Sequence, residues 1–174
     1  MRIAVVLFIL ASCGATYAAV PVAPLSLDGM GEVKFGMSVD DLERALNDAM
    51  PYSPYANHGC SVVTVASSEA WGLSYTIEDN QLMRINVEYY GSDQRAQPIR
   101  TDTGVGLGSS EEDVTKAYAG RIRITPNPED PAWHTLTVDA PDHARGIIFE
   151  TDGKAVKSFR AGLYPAVGLP SSCS

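Results

Sequence analysis

One pattern of eleven residues occurs twice in this chain, and it limits the architecture more than any other feature. Gly36-Met37-Ser38-Val39-Asp40-Asp41-Leu42-Glu43-Arg44-Ala45-Leu46 lies over Gly108-Ser109-Ser110-Glu111-Glu112-Asp113-Val114-Thr115-Lys116-Ala117-Tyr118 at an offset of 72. Glycine, serine, two acids, an aliphatic residue, a base, alanine and a bulky apolar residue coincide in order. Farther on, Gly72-Leu73-Ser74-Tyr75 lies over Gly146-Ile147-Ile148-Phe149, and Leu82-Met83-Arg84-Ile85 over Val156-Lys157-Ser158-Phe159, both at an offset of 74. Two agreeing blocks imply one supersecondary unit used twice, its copies differing by a small loop change.

The local chemistry of each copy predicts the same element. Ser38 and Ser110 stand at N-cap positions, with Asp41 and Asp113 three residues on, a capping-box-like spacing that satisfies free N–H groups and complements the helix dipole. Leu42, Ala45 and Leu46, and in the second copy Val114, Ala117 and Tyr118, fall at i, i+3 and i+4, which makes one apolar stripe per helix of about ten residues. Strand signals follow at 61–66, 71–78 and 82–90, then at 121–125, 133–138, 146–151 and 155–163. Asp79-Asn80 and Asp152-Gly153 fit hairpin tips, where positive φ is tolerated. The predicted fold class is α+β: two tandem repeats, 31–92 and 100–174, each a short helix followed by an antiparallel meander, with 91–100 as the linker.

The Gly-Met-Ser-x-x-x-Leu-x-x-x-Leu run from Gly36 to Leu46 resembles the helix signature of the BamE-like outer-membrane lipoproteins. The tandem helix-plus-sheet plan is similar to that of the β-lactamase inhibitor protein. The resemblance covers most of the chain as architecture and some twenty residues as motif. No Gly-x-Pro closes the helix after Leu46, and one disulfide between distant segments differs from the inhibitor's own bridges. The resemblance implies a non-enzymatic, protein-binding scaffold and carries over no binding residue.

The N-terminus has the order of a secretory signal: Arg2, an apolar run from Ile3 to Leu10, then small residues to Ala18. That run is too short to span a bilayer, which takes about 20 apolar residues. Residues 1–18 are expected to be a signal peptide and 19–30 a tether. Leu10-Ala11-Ser12-Cys13 also resembles a bacterial lipobox, so Cys13 is a possible lipidation site and the only predicted membrane attachment. Cleavage at either place leaves Cys60 and Cys173 as an even pair in an oxidising compartment, where a disulfide is expected. Closing so long a loop stabilises by roughly 4–5 kcal/mol in the chain-entropy model.

Of 13 basic and 21 acidic residues, loss of Arg2 with the signal leaves 12 against 21, so the net charge moves from −8 to −9. An acidic chain without a basic stripe is not built for nucleic acid and favours a basic partner. No Gly-x-Ser-x-Gly, Ser-x-x-Lys or His-Glu-x-x-His occurs. His143 with Asp142, Asp139 and Glu129 is the strongest candidate for a metal or acid/base cluster; His134 reads as a strand surface residue, and His58 stands two residues before Cys60. Gly104-Val105-Gly106-Leu107-Gly108 lacks a lysine in phosphate-loop register and fits a loop that enters a capped helix with Val105 and Leu107 buried.

Surface aromatics are the better functional signal, since Tyr and Trp anchor protein or sugar ligands at small entropic cost. Trp71 and Trp133 begin strands and are expected to pack. Tyr52 and Tyr55, in Pro51-Tyr52-Ser53-Pro54-Tyr55, and Glu129 and Asp130, in the stiff loop 126–131, are the predicted partner-binding residues. The expected function is an exported, non-enzymatic protein-binding module of the periplasm or envelope, of inhibitor or immunity type, without cofactor. A small periplasmic hydrolase or metal-dependent enzyme and a structural envelope lipoprotein are the alternatives.

Overall fold

The computed structural model describes residues 22–51, 59–69, 72–89 and 99–173. The chain is α+β, with two antiparallel sheets. Strands β1 (Leu25–Ser26), β2 (Gly29–Met30) and β3 (Val33–Lys34) form a small sheet, followed by helix α1 (Val39–Leu46). Then come β4 (Cys60–Val63), the single turn α2 (Ala66–Glu69), β5 (Leu73–Glu78) and β6 (Gln81–Glu88). Helix α3 (Glu111–Ala117) precedes β7 (Ile122–Pro126), β8 (His134–Asp139), β9 (Arg145–Thr151) and β10 (Val156–Leu163), and a 3₁₀ turn, Ala166–Gly168, follows. The large sheet runs β4-β5-β6-β10-β9-β8-β7, so the last strand of each half pairs with the other at its centre.

Both helices start as their sequences predict. The Ser38 hydroxyl accepts from the Asp41 amide at 3.2 Å and donates to the Asp41 carboxylate at 2.8 Å; Ser110 and Asp113 repeat this at 3.1 and 2.7 Å. The aspartate therefore reaches the cap hydroxyl, and with its negative charge sits at the positive end of the helix dipole. Each helix is also latched to a hairpin. Gly36 N–H donates to Leu82 O, Leu82 N–H to Met37 O and Val39 N–H to Asn80 O; Gly108 to Val156, Val156 to Ser109 and Glu111 to Lys154 make the corresponding three bonds. Eight and seven residues long, the helices are shorter than expected.

Leu42 of α1 and Val114 of α3 are buried in one core with Leu73, Tyr75, Ile85 and Val87 from the first half and Leu136, Ile147, Phe149 and Phe159 from the second. These strand residues alternate, so the helices cover one face of the large sheet and Ser74, Thr76, Arg84, Asn86, Glu150 and Arg160 lie on the other. Asp79 and Asn80 both have positive φ, 47° and 65°, as the predicted two-residue hairpin requires.

Two further expectations differ from what is seen. The tether expected over 19–30 is not loose from Leu25 onward: Leu25 is fully buried, its N–H donates to Arg100 O, and β1 and β2 belong to the small sheet. Two-residue strands have too little periodicity to register in sequence. The strand expected over 61–66 ends at Val63, and Ala66 opens a helical turn. The Cys60–Cys173 disulfide is present, with Cα atoms 5.7 Å apart, and ties the C-terminal segment to edge strand β4. Tyr52, Tyr55, His58, Trp71, Cys13 and most of the linker lie outside the described residues.

Candidate functional site

The face of the sheet turned away from the helices is polar and partly roofed. After β10 the chain turns through Ala166–Gly168 and runs back across β9, β10 and β6 to Cys173. Beneath it lies Arg84, only 3% exposed. Its Nη1 donates to Ala166 O at 3.0 Å and Leu169 O at 2.8 Å, its Nη2 to Ser172 Oγ at 2.7 Å, and its Nε to the Asn86 side chain. Four neutral acceptors take four of the five N–H donors of this guanidinium without cancelling its charge. Burial first, then the proximity of Arg160, pushes its pKa down to about 10, while Glu88 acts against them, and it remains protonated at neutral pH.

Gly162 on β10 faces Arg84 across the strand pair. A Cβ there would lie 2.3 Å from Met83 O and 2.8 Å from Arg84 Cα, so only glycine lets the two strands approach at this point. Two residues earlier, Arg160 is 8% exposed; its Nε donates to Val167 O at 2.8 Å and its Nη1 to Glu150 at 2.9 Å. Glu150 also accepts from Thr135 Oγ1 at 2.8 Å. The polar set thus crosses four strands, and the 3₁₀ turn holds it in place through backbone carbonyls.

A cleft of about 560 Å³ opens above this floor. Arg84, Asn86, Glu88, Ser158, Arg160, Glu150 and Thr135 line its base, Gly168 and Pro170 one wall, and Asn127, Pro128, Glu129 and Trp133 the other. The second wall is the β7–β8 loop, whose own hydrogen bonds define it. Asn127 N–H donates to Trp133 O at 2.8 Å, Trp133 N–H to Asp130 O at 2.9 Å, and the Asn127 side chain accepts from the amides of Glu129 and Asp130. Trp133, expected to pack, is 38% exposed at the rim of the cleft.

The predicted residues separate accordingly. Glu129 lines the cleft, whereas the Asp130 carboxylate accepts from the Ala132 amide and helps to build the loop. The candidate cluster around His143 does not assemble. His143 stands at φ 53° in the turn after β8, with Asp139 and Asp142 at that end, while Glu129 precedes β8 at the other. A strand of six residues at about 3.3 Å each holds these ends roughly 20 Å apart. Among the described residues no group of three or more His, Cys, Asp or Glu side chains could hold a metal ion. His134 is no plain surface residue: its Nδ1 lies 3.0 Å from both Glu111 oxygens, and Thr151 donates to the same carboxylate at 2.6 Å. Val105 and Leu107 are buried, as expected of a loop leading into α3.

Sequence reasoning did not single out Arg84, Asn86, Arg160 or Glu150. The alternation in Leu82 to Glu88 marks the polar residues as sharing a face, but an alternating pattern alone assigns that face to solvent.

No family model matches this chain, and no curated protein matches it. A solved structure of a DUF4309 family protein, YjgB from Bacillus subtilis, is similar at a TM-score of 0.44 and 12% identity, over 78% of this chain and 84% of that one. Nothing about fold or function is carried across from a likeness of that size.

Proposed function

We propose that this chain is an exported, non-enzymatic binding module of the bacterial periplasm or envelope, and that its ligand seats in the cleft on the polar face of the large sheet. The observation that carries this is the floor of that cleft. Arg84 and Arg160, both nearly buried, are positioned by carbonyls of a chain segment that does little else than cross the sheet to reach Cys173. Burying guanidinium groups is costly, and structural packing alone would favour apolar residues there. A scaffold that holds them beside an exposed indole has the composition of a recognition site. The leader-like N-terminus and the disulfide support export, because such bridges persist in oxidising compartments. The two helix-and-hairpin units are, in this reading, tandem copies of one plan, supported by their matching caps and latches.

Intact mass of the protein purified from its native host, before and after reduction, tests export. A chain starting at Ala19, or at an acylated Cys13, with a two-dalton gain on reduction is expected. A chain that begins at Met1 and fractionates with the cytoplasm overturns the proposal.

A further inference from the structure

Resting on the binding-module reading, we infer that the cleft is a saccharide site: it takes a neutral sugar of a polysaccharide or glycan, stacked on Trp133 and hydrogen-bonded by the polar floor. Charge narrows the choice first. The cleft is lined by two arginines and three carboxylates, Glu88, Glu129 and Glu150. Three carboxylates oppose a phosphate or polyanion, and the two buried guanidiniums oppose a cation at the floor. A neutral ligand meets neither repulsion.

Hydrogen-bonding capacity narrows it further. Arg84 and Asn86 are spent on one another and on the chain around them, but the outer nitrogen of Arg160 and the Asn127 amide N–H groups supply donors, and the carboxylates of Glu88, Glu129 and Glu150 supply acceptors, in one basin. A hydroxyl both donates and accepts, so a polyol can use both sets at once, whereas a ligand of acceptors alone would leave the carboxylates unmatched. The strands beneath the cleft, β6, β10, β9 and β8, are all interior to the sheet. Their backbone groups are spent in ladders, so the cleft offers no free edge for the main chain of an extended peptide. Recognition here has to be by side chains. Trp133, 38% exposed at the rim and fixed by the bonds of its loop, supplies a flat apolar surface for the C–H face of a pyranose.

The test is calorimetric titration of the mature, oxidised protein with chitotetraose, cellotetraose and maltotetraose, and in parallel with inorganic phosphate and tetra-alanine. Saturable binding of a tetrasaccharide is expected, weakened roughly tenfold to a hundredfold in Trp133→Ala, as for loss of an aromatic anchor, and partly retained in Trp133→Phe. Unchanged circular dichroism and thermal midpoint in both variants separate loss of the anchor from loss of the fold. Failure of all three sugars with saturable binding of phosphate or peptide, sensitive to Trp133→Ala, overturns the saccharide assignment and leaves the binding module standing. Silence with every probe also overturns the saccharide assignment, while the binding-module reading stands or falls on the mass measurement above, and sugar binding unaffected by Trp133→Ala overturns the cleft as its location.

Discussion

The unit from α1 to β6 and the unit from α3 to β10 begin alike and finish differently. Their caps agree within 0.1 Å in each bond, and each helix is latched to the hairpin after it by three corresponding backbone bonds. Tyr75 and Phe149, 74 positions apart, are both fully buried under these helices. The divergence lies in the connections. The second unit carries the additional strand β7 and the loop to β8, and it ends in the 3₁₀ turn and the disulfide-tied segment. The first unit contributes Arg84 and Asn86 to the floor of the cleft; the second contributes Arg160 and Glu150 and both walls. What the units share builds the core, and the candidate site stands where they stop matching.

That comparison can be broken most forcefully in the core. Phe149 stacks on Phe159 with centroids 5.6 Å apart, and Phe149→Ala is expected to cost about 3–5 kcal/mol, with Tyr75→Ala in the same range. Denaturant midpoints showing one substitution nearly neutral would mean that the units do not share a core equally. Next comes the bridge. Cys173→Ser is expected to cost about 2–5 kcal/mol, with hydrogen-exchange protection falling in β4 and the segment after Gly168 more than in β8 and β9. Uniform loss across the sheet would show that the bridge supports both units alike.

Smaller is the loss of a cap. Ser38→Ala and Ser110→Ala should each cost about 1 kcal/mol, and thermal melts that separate them by more than that would end the equivalence of the two helix starts. The smallest effect is confined to the second unit. Tyr164 donates to Asp139 at 2.6 Å, and burial first, then that carboxylate, pushes its pKa up to about 12. Its contribution to stability is complete below about pH 10, the unfolded phenol's value, and is lost as pH rises towards 12. Denaturation midpoints taken across that window should fall in the parent and fall less in Tyr164→Phe; equal slopes would remove Tyr164 as the cause.

Features that depend on neighbours in the chain were legible. The serine caps, the Asp79-Asn80 hairpin and most strands followed from local spacing, and the disulfide from the even pair of cysteines that the expected signal cleavage leaves. The segment crossing the polar face was not legible, because its anchors, Arg84 to Leu169 and Arg160 to Val167, are backbone carbonyls that any sequence supplies. The same holds for His134 and Glu111, 23 positions apart and joined only by the packing of α3 against β8 and β9. Trp133 was misplaced because its position before a strand suggested burial, whereas its loop turns it to the rim.

The bridge also determines how the molecule bears load. Cys60 and Cys173 are 113 positions apart, and the whole of the large sheet lies between them. A pull applied between residue 22 and residue 173 passes from Cys60 straight across the sulfurs, so no strand of the large sheet after β4 enters the line of force. Only the small sheet, α1 and the chain up to residue 60 can pay out. Pulled between those two ends, this protein would lengthen ahead of Cys60 and keep its central strand ladders intact.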